Sequence, residues 1–134
     1  MPINPKKSIR LFLLTTLMTT GLLVSGSVLA HADHGKPMHG GVVAEAGAFQ
    51  GELVAKARTL TLHISNHGEP VAMAGGSAKG VLLIGNQKTE MAFISTGANR
   101  LEATLPSALP QGSKAVITVK LPNGNSGALR FTLP

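Results

Sequence analysis

Thr59-Leu60-Thr61-Leu62-His63-Ile64-Ser65 alternates strictly between two kinds of side chain. Leu60, Leu62 and Ile64 fall on one face and Thr61, His63 and Ser65 on the other, as expected of an antiparallel strand with one face on a core and one toward water. The same period recurs outward from this run. Strands are predicted near 42–46, 51–57, 78–84, 89–95, 100–105, 115–121 and 128–133, each rich in β-branched or aliphatic residues. Turn chemistry separates them: Asn66-His67-Gly68 ahead of Pro70, Gly85-Asn86, and Pro122-Asn123-Gly124-Asn125. No stretch after Gly41 has helical periodicity. Seven or eight short strands at this spacing predict an all-β fold, a single immunoglobulin-like antiparallel β-sandwich over residues 42–134. Its expected core is aliphatic, built on Leu53, Leu60, Leu62, Ile64, Val81, Leu83, Phe93, Leu101, Val116, Ile117 or Val119, and Phe131. The five glutamates, Glu45, Glu52, Glu69, Glu90 and Glu102, read as isolated charges on solvated strand faces.

Upstream of the strands the composition changes. Lys6, Lys7 and Arg10 precede an apolar run from Leu11 to Val24 and a small-residue tail from Ser25 to Ala32, the order of an export signal. The apolar run is shorter than the roughly 20 residues that a spanning helix needs, so a cleaved leader over residues 1–32 is expected, with no stable membrane anchor after cleavage. Val28-Leu29-Ala30 and Ala30-His31-Ala32 both satisfy the small-x-small rule. Cleavage after Ala30 leaves His31 at the terminus; cleavage after Ala32, the preferred site, leaves Asp33. The chain has no cysteine, which excludes disulfides and a lipidated cysteine, and the expected compartment is the periplasm.

Between leader and strands, residues 33–41 are expected to form a flexible head. His31, His34, Met38 and His39 crowd into nine residues with Gly35, Gly40 and Gly41 to let the backbone curl. Imidazole nitrogen ligates copper, zinc, nickel and cobalt, and thioether sulfur favours Cu(I), so a transition metal ion is the expected cofactor, with copper preferred and zinc, nickel or cobalt also acceptable. His34, Met38 and His39 survive either cleavage. His63, on the polar face of its strand, and His67, in a turn, complete such a site only if the head folds back across that edge. Met73 is a more remote thioether donor.

Other classes find little support. The formal charge of +6 includes three leader cations, and the remaining surplus, spread singly along the strands with no Tyr or Trp, argues against nucleic acid. There is no cysteine nucleophile and no Gly-x-Ser-x-Gly elbow, and Gly75-Gly76-Ser77-Ala78-Lys79-Gly80 lacks the ending of a phosphate loop, so a non-enzymatic role is expected. A metal-independent protein-interaction module of an efflux or envelope complex is the alternative.

The order His39-Gly40-Gly41, Glu52-Leu53-Val54-Ala55-Lys56, the run from Leu60 to Val71, Ala74-Gly75-Gly76-Ser77-Ala78 and Asn99-Arg100-Leu101-Glu102 resembles small periplasmic proteins found with heavy-metal efflux systems. It is also similar to the His-Gly-Gly-headed β-domain of heavy-metal RND efflux adaptors. The resemblance implies a periplasmic β-sandwich that handles metal through histidines near its head and works beside a heavy-metal efflux complex. His39, Gly40, Gly41 and the His67-Gly68 turn are the positions that match. The chain lacks the hairpin and lipoyl-like parts of an adaptor, which leaves the role of a free-standing accessory. A fainter likeness, to copper-resistance sandwich proteins and copper monooxygenases that begin with a histidine, requires cleavage after Ala30.

Overall fold

The computed structural model describes residues 35–134. The expected leader, and His31 and His34 with it, lie outside the described residues. Nine strands follow in chain order: β1 (Val42–Glu45), β2 (Gln50–Lys56), β3 (Thr59–Asn66), β4 (Glu69–Pro70), β5 (Ser77–Ile84), β6 (Gln87–Gly97), β7 (Arg100–Thr104), β8 (Lys114–Lys120) and β9 (Ser126–Thr132). No helix occurs among the described residues.

The eight main strands were legible from the alternation of apolar and polar residues; β4 was not, because two residues carry no period. All pairings are antiparallel, and they join into one sheet in the order β1-β2-β3-β7-β6-β5-β8-β9, with β4 beside β3. The long β6 serves both halves: Gln87 to Phe93 pair with β5, and Ile94 to Gly97 pair with β7 across a register shift. Such irregularities bend a strand and sharpen its twist. The two ends of the path come back together, β1 lying against β9, so the sheet is nearly barrel-shaped.

Inside lie Leu53, Leu62 and Leu101, aligned across β2, β3 and β7 by register and fully buried. Leu60, Ile64, Ile117, Val119 and Leu129 join them, with Phe49, Phe93 and Phe131 as the aromatic bulk. Met73 is also fully enclosed in this core, which removes it as a metal donor.

On β5 the expected face is reversed. Val81 and Leu83 point outward, 39% and 36% exposed, whereas Ala78, Gly80 and Leu82 point in. Hydrophobicity does not decide the facing here, because Met91 and Phe93 on the neighbouring strand already fill the space above Gly80; a Cβ there would sit 2.7 Å from the Met91 methyl and 3.2 Å from the Phe93 ring. Small residues on β5 accommodate the large ones on β6. Val116, expected in the core, is only half-buried on the same outer face.

Candidate metal centre

Register creates the site. Antiparallel pairing of β2 with β3 sets Glu52 directly opposite His63, with Val43 of β1 on one side of the pair and Arg100 of β7 on the other. Side chains so opposed stand about 5 Å apart at Cβ, close enough to share a partner. That partner is the head. The chain running into β1 folds back over this row and covers it, leaving Glu52 only 7% exposed.

Glu52 is therefore no solvated surface charge, contrary to the expectation from its strand position. Its two carboxylate oxygens accept four hydrogen bonds. Oε1 takes the backbone N–H of His39 and of Gly41, each at 2.8 Å, and Oε2 takes the Met38 N–H and the His39 ring Nδ1, each at 2.9 Å. Burial alone would raise the pKa of this carboxyl. The Gly41 N–H, the His39 ring and the Met38 and His39 N–H groups outweigh burial and hold it down at about 2. Gly41 is needed for the approach, since a Cβ at that position would collide with the Leu53 carbonyl.

The second element is a pair of rings. The imidazoles of His39 and His63 stack face to face, centroids 3.7 Å apart and 2° from parallel. Burial lowers the pKa of His63, and the neighbouring His39 lowers it further, with Arg100 adding to the effect against the opposing pull of Glu52 and Glu102. The downward shift favours the neutral form of His63, the form that ligates metal.

No family model, curated protein or solved structure matches this chain.

Of the expected site residues, the fold brings His39 and His63 into contact and carries Met38 to the rim of the same surface pocket, a depression of about 180 Å³ that Lys36, Glu52 and Asn99 also line. Met38 is 76% exposed and enters the site through its backbone N–H. His67 sits in the β3–β4 turn with φ of 49°, and it does not line the pocket, although Gly68 and Pro70 of the same turn do. Among the described residues no three His, Cys, Asp or Glu side chains form a group able to hold a metal ion. The site residue that the sequence did not disclose is Glu52. Its one signal was the pairing of β2 with β3, which puts a carboxylate across from His63.

What this arrangement does chemically follows from the Glu52–His39 bond. The carboxylate accepts a hydrogen bond from Nδ1–H, which fixes the tautomer and leaves the lone pair on Nε2, the orientation also found in metal-binding histidines.

Proposed function

We propose that the protein is an exported, non-enzymatic metal-binding accessory of heavy-metal efflux or resistance, with copper as its preferred ion and zinc, nickel or cobalt as weaker occupants. The observation that carries this reading is the carboxylate of Glu52 bound to His39 Nδ1, with a second imidazole, His63, stacked against the same ring. The ligands in this reading are His39 Nε2, His63 and the Met38 thioether, with His34 or His31 supplied from the segment before Gly35. Imidazole with thioether favours copper over harder ions. Each imidazole lone pair lies in its own ring plane, so two stacked rings meet one ion only after one of them turns.

The leader pattern supports export to the periplasm, and the His39-Gly40-Gly41 motif supports the connection with efflux. The strand order supports the immunoglobulin-like description as well. β2-β3-β7-β6 follows the neighbour order A-B-E-D of such a sandwich and β9-β8-β5 the order G-F-C, with β6 crossing between the two sheets.

Competitive titration of the exported protein with Cu(I), Cu(II), Zn(II) and Ni(II), beside the His39→Ala and His63→Ala variants, tests the reading. The expected result is copper affinity better than about 10 μM that drops at least tenfold in each variant and falls below about pH 6, where imidazole protonates. Affinity unchanged in both variants, or no binding of any of these ions, refutes it.

A further inference from the structure

The described residues carry nine cations and five carboxylates, and the fold sorts them unevenly. Lys79, Lys88, Lys114, Lys120 and Arg130 all stand on the outer face of the β6-β5-β8-β9 half of the sheet, all exposed, with Glu90 as the one carboxylate among them. The other four cations are matched by four carboxylates elsewhere, so the whole net positive charge of the described residues lies on this face. The surplus that looks evenly scattered in the sequence is gathered by strand alternation. Among the described residues none of these five cations forms an ion pair; Arg100, outside this face, pairs with Glu102.

Register gives the face its pattern. Lys88, Leu83 and Lys114 form one row across the strands; Glu90, Val81, Val116 and Arg130 form the next; Ala92, Lys79, Thr118 and Ala128 the third. Rows are about 7 Å apart and strands about 5 Å apart. The result is an aliphatic centre of Leu83, Val81 and Val116 bordered by cations and by Glu90, and beside Val81, Val116 and Ala92, with Lys79, Glu90 and Thr118 along it, the surface sinks into an open groove of about 540 Å³. Apolar centre with polar rim is the anatomy of a protein interface.

We infer that this face binds an acidic segment of another protein, with carboxylates on the bordering cations and an aliphatic side chain in the groove over Val81 and Val116. A second copy of the same face is disfavoured by like charge. A membrane surface fits less well, because the apolar residues line a depression instead of protruding, and no Trp or Tyr anchors the face at an interface. The surface is on the half of the sheet away from the Glu52 row, so it is independent of metal binding.

The test uses the mature protein and a soluble 14-residue peptide of Glu, Leu and Ser, with a Lys, Leu and Ser peptide of the same order, oligo-dT and phosphatidylcholine vesicles containing phosphatidylglycerol as controls. The acidic peptide is expected to bind, with affinity falling at least tenfold between 50 and 300 mM NaCl and at least tenfold in the exposed-site double variant Lys79→Glu/Lys114→Glu. His39→Ala, which acts on the opposite half of the sheet, leaves this affinity unchanged. Amide shifts on titration should map to β5 and β8. No binding of the acidic peptide, equal binding of the basic peptide, or tighter binding of vesicles or oligo-dT overturns the inference, and retention of the wild-type circular dichroism by the double variant shows that loss of binding is not loss of fold.

Discussion

His39 Nδ1 and Glu52 Oε2 lie 2.9 Å apart, and the same carboxylate also receives the backbone N–H groups of Met38, His39 and Gly41. One buried side chain on β2 therefore does two things. It fastens the segment ahead of β1 to the sheet, and it selects which nitrogen of His39 faces outward.

Removing that anchor should cost stability and order together. Glu52→Ala leaves four donors without their acceptor and is expected to lower unfolding free energy by about 2–4 kcal/mol, since each lost charged hydrogen bond contributes of the order of 1 kcal/mol or more. Hydrogen exchange at the Met38, His39 and Gly41 amides should rise more than at Leu62 or Leu101. Uniform acceleration across the sheet would count against a local fastening.

The low pKa of Glu52 has a pH signature. A carboxyl held at about 2 when folded, against 4.5 ordinarily, adds stability that is fully present above pH 4.5 and is lost as pH falls toward 2. The wild type should lose about 3 kcal/mol of stability over that window relative to Glu52→Gln, whose curve lacks this contribution. Parallel acid-denaturation curves for the two proteins would contradict the assignment.

His63 titrates with the opposite chemistry and the same direction. Its folded pKa lies below 6.5, so neutral His63 favours the folded state above that pH and the contribution declines as pH falls below it. By NMR its midpoint should lie under 6.5 and move up in His39→Ala, which removes the covering ring. A midpoint at or above 6.5 in the wild type would show that the stack does not hold.

Two substitutions on β5 test the facing of that strand. Leu82→Ala opens a cavity in the core and should cost about 2–5 kcal/mol, whereas Val81→Thr on the outer face should stay within about 0.5 kcal/mol. Thermal or urea unfolding of the pair reads the difference directly.

Strands were legible where alternation ran long enough to be unambiguous, as in Leu60, Leu62 and Ile64, and turns were legible at Gly85-Asn86 and His67-Gly68, where Gly85, His67 and Gly68 take positive φ angles. The facing of β5 was not, because hydrophobicity ranks Val81 and Leu83 above Ala78 and Gly80, while the volumes of Phe93 and Met91 across the strand pair settle which of them fit inside. Half of the candidate site was visible as a cluster of histidines. The other half, Glu52, depends on strand register and on the fold-back of residues 38–41, two long-range facts that no local pattern encodes.

The most direct measurement of the central claim is the nitrogen-15 spectrum of the histidine rings with and without Cu(I), which is diamagnetic. Glu52 as the orienting group predicts that His39 keeps its proton on Nδ1 and that its Nε2 resonance shifts on metal addition, together with a shift of a ring nitrogen of His63. Coordination of His39 through Nδ1, or ring spectra unchanged by Cu(I) at both histidines, would contradict it.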